Sequence, residues 1–401
     1  MKKWMAFFLT VCLLLALAGC GKTPAPENTQ NTGAAPSESE GPTTSETEPQ
    51  PTGAPSQEIM FAVCVPTVTE TVSADSGAPI FQYIYQSISM TLPDPDAADR
   101  IVLDFLTKAD STADSASTIA AQAKANYTGA ADWTPYLHRV VYEPMRIDAQ
   151  ILSFFGSVIS YSGAPHPEHT YPCLSYDILT GEALTLPRIL AIDDAGTALC
   201  DLVTQALVPM EIEKYLYPDY AATVKARFAD DLSGDNGWYF SPTGLCFCFE
   251  PYEIAPYASG VVVAEIPYGQ LDGVIADAYL PDGSPLGTGE VTVSLFDPEG
   301  LDGFTQFPEV VLEQDGQQLL LHTEGAVYDV RLQVGGLSYN GLAFEPDYTA
   351  FACRSLTPGD ALLVEAVLPE DAPRLQLTYS AGGETVSLLP APDGSTFSLP
   401  Q

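Results

Sequence analysis

The chain is short of positive charge. Fifteen lysines and arginines stand against 52 aspartates and glutamates, a formal net charge of −37 at pH 7. Nucleic-acid binders carry basic patches, so that function class is excluded. A globule lying flat on anionic lipid is excluded for the same reason. Histidine is scarce as well, at four residues, and no CxxC pair occurs, which leaves thin material for a metal centre. There is no HExxH, so no zinc-protease helix. The nearest approach to GxSxG, Gly336-Leu337-Ser338-Tyr339-Asn340, fails at its last position. The stretch beginning at Asp231, DLSGDNGW, lacks the sixth-position glycine and the closing glutamate of a calcium loop. Carboxylate pairs abound in so acidic a chain, so no single pair points to acid–base chemistry. The acid itself is spread along the chain; it reads either as a solubilising surface or as a field that steers a cationic partner.

Long apolar runs are lacking too. The one at residues 4–18 follows Lys2 and Lys3 and is too short for a membrane span, which needs about 20 residues. It suits the apolar region of an export signal. That run ends Leu17-Ala18-Gly19-Cys20, which resembles a lipobox, with small residues ahead of a cysteine that receives diacylglycerol. The expectation is a signal peptide over 1–19 and a lipidated Cys20 that holds the protein at the cell membrane, on its extracytoplasmic face. Removing Lys2 and Lys3 with the signal takes the charge from −37 to −39. Residues 20–57 carry the modified cysteine and a linker with seven prolines and no Val, Ile, Leu or aromatic residue. Such a segment cannot bury a core; as a flexible coil it reaches roughly 30–35 Å. It reads as a stalk.

Residues 58–401 are rich enough in apolar side chains for real cores, and their length predicts more than one domain. The pattern predicts a strand at 59–72 broken by Pro66, and a long strand over 80–92. One long helix is expected from Asp94 and Pro95 to about Tyr127, capped by the aspartate and opened by the proline. Strands follow at 139–161, then the loop SGAPHPEHTYP, the strand CLSYDI, a Thr180-Gly181 turn, and helices at 193–207 and 219–230. The segments GWYFSPTGLCFCFEP and GVVVAEIPYGQL supply three strands. After PDGSPLGTGE the texture becomes short β-prone runs parted by turns. This predicts an α+β fold over 58–280, in parts 58–150 and 151–280, and an all-β immunoglobulin-like sandwich over 290–401 without a Cys-Trp-Cys core.

Six cysteines remain after Cys12 and Cys20. Cys246 and Cys248 alternate along one strand and so share a face; they read as buried thiols or as partners of Cys173 or Cys200. Three Pro-Tyr pairs punctuate 247–271, at Pro251-Tyr252, Pro256-Tyr257 and Pro267-Tyr268. Proline stiffens these connections and removes a ladder donor. Tyr252 and Tyr257 then either plug the end of a sheet or form a preorganised recognition surface, the kind of surface where tyrosine is enriched. His166 and His169 in HPEH could approach one ion, but Pro167 between them opposes a helix that would aim both rings together. No metal and no cofactor is expected.

The stretch YFSPTGLCFCFEPYEIAPYASGVVVAEIPYGQL and the upstream SVISYSGAPHPEHTYPCLSYDILTGEALTLPRIL resemble an extracytoplasmic bacterial domain of unknown function, the RsiV/PdaC type. Residues 59–150 resemble its usual N-terminal companion. The resemblance spans roughly 59–275. It implies a mixed α+β fold with a bent antiparallel sheet packed against helices. It also implies a cationic partner such as a lysozyme-like hydrolase, which the related region of RsiV binds outside the membrane. Pro165 interrupts the Gly-Ala-His loop of that family. No sigma-binding segment precedes Cys20 and no deacetylase domain follows, so neither activity is expected here. The leading expectation is a non-enzymatic, lipid-anchored binding or sensor-like protein, with His166, Tyr252 and Tyr257 as candidate ligand-binding residues. The alternatives are a wall-directed enzyme with a non-standard site near His166, and a structural accessory subunit of an envelope complex.

Overall fold

In a computed structural model, residues 61–397 are described apart from 65–67, 193, 230–231, 233–236, 282, 284–286, 298–303, 307–308, 340, 342 and 371. The expected signal, Cys20 and linker lie outside the described residues, as does most of the Asp231 turn. Among the described residues no helix is long and apolar enough to cross a membrane.

The predicted long helix is present as Pro95–Asn126. Asp94 takes extended backbone and its carboxylate accepts the N–H of Asp96 at 3.0 Å, while Pro95 occupies the first turn, where its missing N–H costs nothing. Ile101, Phe105, Ala116, Ile119 and Ala123 line the buried stripe. Phe105 meets Tyr142 edge-on at 4.8 Å and Phe154 at 5.6 Å, so the helix lies across a sheet.

That sheet orders its strands Val68–Ser73, Pro79–Tyr85, Tyr136–Ile147, Ile151–Tyr161, Cys173–Asp177 and Glu182–Ala183, with Glu168–Thr170 paired beside Ile151–Tyr161. It is antiparallel except for one pair. Pro79–Tyr85 runs parallel to Tyr136–Ile147, because the long helix is the crossover between them and returns the chain to the starting edge. The predicted single strand over 80–92 is two strands in two sheets: Pro79–Tyr85 here, and Ile88–Thr91 in the C-terminal part. Alternation along 80–92 continues through the switch, so periodicity could not mark it.

The three strands expected from 237–271 form a sheet of their own, Trp238–Phe240, Gly244–Phe249 and Val262–Pro267. One core joins it to the helices Ala195–Leu207 and Tyr220–Ala229 through Leu199, Val203, Val224, Phe228, Phe247 and Ile266. Phe228 meets Phe247 edge-on at 5.1 Å. Burying one such ring contributes about 1.5–3 kcal/mol.

The C-terminal part is two β-sheets on one core of Leu319, Leu321, Leu332, Phe351, Leu362, Val364 and Leu377. It departs from the expected immunoglobulin-like plan in two ways. Thr305–Gln306 and Val310–Val311 run parallel to Asp360–Ala366. The larger sheet is completed by two N-terminal strands: Phe61–Cys64 pairs with both Phe344–Leu356 and Ile88–Thr91. Polar contacts bind the two parts further. Glu143 accepts the N–H of Thr349 at 3.0 Å, and Arg331 donates to the carbonyl of Met145 at 2.7 Å. Met145 is the residue skipped at the register shift between Pro144 and Arg146, so it has no partner opposite it on Ile151–Tyr161.

Candidate functional site

Two loops build the site. The first connects Ile151–Tyr161 to Cys173–Asp177 and carries His166, His169 and Tyr171. The second follows Gly244–Phe249 and carries Glu250, Tyr252, Glu253 and Tyr257. Gly156 holds the foot of the first loop: its N–H donates to the Pro172 carbonyl at 2.7 Å. A Cβ there would lie 2.5 Å from that oxygen and 2.7 Å from the Tyr142 ring. The second loop is anchored by Ile254 and Ala255, both buried in the core beneath. Those two residues close the core at this end, while Tyr252 stands 58% exposed.

The three residues singled out by sequence meet. His166 stacks on Tyr257 at 4.1 Å between ring centroids, and Tyr252 lies 6.4 Å from His166 and 5.7 Å from Tyr257. The Tyr257 hydroxyl donates to the carbonyl of Pro167 at 2.9 Å and so ties the loops together. His166 Nδ1 lies 3.0 Å from that same carbonyl. A donating Nδ1 leaves Nε2 as the acceptor for the Tyr252 hydroxyl, 3.4 Å away.

Tyr252 adopts φ 73°. The left-handed region costs an L-residue with a large side chain roughly 1–2 kcal/mol. The turn holds it there through the Tyr252 N–H, which donates to the Ala255 carbonyl at 2.9 Å. A strained backbone carrying an exposed aromatic ring is the pattern associated with functional loops.

Sequence reasoning passed over several participants. His169, weighed only as a metal ligand, faces the edge of Tyr257 at 5.7 Å. Tyr171 lies 6.3 Å from the His169 ring and stacks on Phe155 at 5.7 Å. Burial, with Tyr257 and Glu250 nearby, raises the Tyr171 hydroxyl above its usual pKa. Glu250 accepts the Tyr171 N–H at 3.4 Å, and Glu253 accepts the Glu250 N–H at 2.9 Å. Glu168 and Glu250 are exposed. The available signal was Tyr171-Pro172, a tyrosine beside a proline in reversed order. Beside the rings opens a cavity of about 450 Å³ lined by Tyr171, Arg227, Cys248, Glu250 and Glu253 among others. Arg227 is tied to its wall, donating to the Cys248 carbonyl at 2.7 Å, lying 3.4 Å from Glu253 and 4.7 Å above the Phe249 ring.

The third Pro-Tyr pair does something else. The Tyr268 hydroxyl donates to the Ser241 carbonyl at 2.7 Å and accepts from Arg146 at 2.8 Å. Arg146 also donates to the Tyr279 carbonyl at 2.8 Å, pairs with Asp148, and lies over the rings of Tyr268 and Phe240 at 5.0 and 5.3 Å. Burial pushes the Tyr268 hydroxyl up to about 12, against the pull of Arg146.

Chemically, the arrangement suits recognition of a cation: aromatic rings, with acidic residues carried on the same two loops. Among the described residues no group of three or more His, Cys, Asp or Glu side chains is arranged to hold a metal ion.

Residues 189–269 match the model of a family described as protein of unknown function, DUF3298. The match covers the two helices, the three-stranded sheet and the Tyr252–Tyr257 loop. Two solved structures are similar to the chain. One is a DUF3298-family member from Bacteroides fragilis NCTC 9343, 17% identical, covering 55% of this chain and 95% of its own, with a TM-score of 0.39. The other is a DUF3298-family protein from Pseudomonas aeruginosa PAO1, 16% identical, covering 54% of this chain and 98% of its own, with a TM-score of 0.34. No curated protein matches the chain.

Proposed function

We propose that this is a non-enzymatic binding protein, tethered through Cys20 to the extracytoplasmic face of the cell membrane, whose acidic head captures a cationic protein of the lysozyme-like hydrolase class. The observation that carries the reading is the convergence of His166, Tyr252 and Tyr257 into one ring cluster, with Glu168, Glu250 and Glu253 in the same two chain segments, on a chain of charge −37. A lysine or arginine of the partner would lie against the rings and within reach of the carboxylates. Such a contact is worth about 0.5–2 kcal/mol at one site, and the wider negative field accelerates encounter. The resemblance of residues 59–275 to the RsiV-type region supports the partner class, and Leu17-Ala18-Gly19-Cys20 supports the tether.

The test is retention of lysozyme on the immobilised protein. Retention at low salt that falls steeply as sodium chloride rises, and that weakens on Tyr252→Ala, is expected. Equal retention by protein and blank resin would remove the reading.

A further inference from the structure

The two site loops start and stop at a pair of cysteines. Cys173 opens its strand directly after the loop that carries His166 to Tyr171. Cys248 lies two residues before Glu250, at the entrance to the Tyr252–Tyr257 loop. The two strands belong to different sheets, yet the sulfurs are 3.7 Å apart. Both residues are buried, among Tyr239, Met145 and Phe155.

We propose that Cys173 and Cys248 are an oxidative cross-linking site, whose disulfide clamps together the two loops that build the ring cluster. A bond of about 2.05 Å needs the sulfurs to close the remaining gap by side-chain rotation. The other cysteines fit less well. Cys246 faces the same way as Cys248 two residues along the strand, about 6.7 Å away, and burial pushes its thiol up to about 12, which makes it a poor nucleophile. Cys353 lies in the C-terminal core, and Cys200 packs against the helix–sheet core.

The oxidant is a disulfide compound, either a small molecule or a protein. Cys248 borders the 450 Å³ cavity, which gives the oxidant a route to it. Its thiolate attacks one oxidant sulfur, forming a mixed disulfide and releasing one thiol. The thiolate of Cys173 then attacks Cys248 Sγ, forms the internal bond and expels the second thiol. Two thiols are oxidised, one disulfide is reduced, and both protons end on the released thiols. The geometry stands independently of what the ring cluster binds. Exposure to such an oxidant rests on the export reading, and the cross-link is scored without any ligand, so the two readings fail separately.

The experiment treats the folded full chain with oxidised glutathione, removes the glutathione, unfolds the protein in urea containing excess iodoacetamide to block every remaining thiol, and maps peptides by mass spectrometry without reduction. The expected result is one linked species joining the peptides of Cys173 and Cys248, absent from Cys173→Ser and from Cys248→Ser, with Cys200 and Cys353 alkylated. Oxidation should also raise the thermal midpoint of the wild type and leave that of Cys248→Ser unchanged. Linkage of Cys248 to Cys200, or of Cys173 to Cys246, would overturn the assignment. So would full alkylation of Cys173 and Cys248 after oxidation. The wild-type map decides even where a serine variant fails to fold.

Discussion

Tyr268 and Tyr252 both follow a proline, sixteen positions apart, and do opposite work. Tyr268 is one spoke of a knot around Arg146, in which the guanidinium reaches a carboxylate, a hydroxyl, a carbonyl and two ring faces. The guanidinium at its centre is buried, Arg146 being only 5% exposed, while Tyr268 and Asp148 are half-buried around it. Tyr252 stands outside the core, on strained backbone, with one long contact to His166. The knot stabilises; the exposed cluster stabilises little, and under the proposed function its ring faces are what a partner would meet. One dipeptide thus has two meanings, and the difference lies in what the facing segment offers. The bulge at Pro144 turns Arg146 toward Tyr268, whereas the loop of His166 offers Tyr252 only an imidazole at the surface.

The comparison can be broken by substitution. Arg146→Ala should have the largest effect, about 3–5 kcal/mol of stability, because a buried pair loses one partner and leaves the rest unsatisfied. Urea unfolding measures this, and a loss below about 1 kcal/mol would put the knot on a level with the exposed cluster. Gly156→Ala comes next. Its methyl would meet the Pro172 carbonyl, with an expected cost of about 1–3 kcal/mol and weaker lysozyme retention from a displaced loop. Tyr257→Phe removes only the hydroxyl bond to Pro167 and should cost about 0.5–1.5 kcal/mol in thermal or urea unfolding. Tyr252→Gly should leave stability unchanged or raise it by up to about 1 kcal/mol, since glycine adopts positive φ freely, while retention of lysozyme falls. If Tyr252→Gly instead unfolded the protein, the ring would be a plug and the contrast with Tyr268 would vanish.

The smallest effect concerns pH. Burial lowers the pKa of His138 below its usual value; its ring faces Tyr83, and Nδ1 lies 2.9 Å from the Ser160 hydroxyl. The unfolded chain takes up this proton near pH 6.5 and the folded one at lower pH. Stability from this group is therefore complete above about 6.5 and declines as pH falls toward the folded value. Glu143 and Asp329, raised by burial, act oppositely: their contribution is present at low pH and lost as pH rises through their folded values. Replacing His138 with Asn should therefore flatten the fall in urea midpoint between pH 7.5 and 5.5. An unchanged fall would assign it to other groups.

Local signals were legible in the sequence wherever they were dense. Asp94-Pro95 and the spaced apolar residues marked the long helix. Thr180-Gly181 marked the turn, where Gly181 takes φ +70° against Ala97. The three strands around Cys246 were equally plain. Non-local pairing was not legible. Nothing in Phe61–Cys64 says that its partner is Phe344–Leu356, and nothing in the alternation of 80–92 says that the chain changes sheets at Gln86-Ser87. At the site, proline-flanked tyrosines and an exposed histidine could be picked out singly. Their meeting depends on pairing between distant strands, and so did the inclusion of His169 and Tyr171.

The most direct measurement is the dissociation constant for lysozyme of wild type and Tyr252→Ala, each at 50 and 500 mM sodium chloride, with thermal midpoints taken on the same samples. The account predicts tight binding by the wild type at low salt and marked weakening at high salt. It also predicts at least a several-fold loss in Tyr252→Ala with an unshifted midpoint. Identical affinities for the two proteins, or binding indifferent to salt, would contradict it.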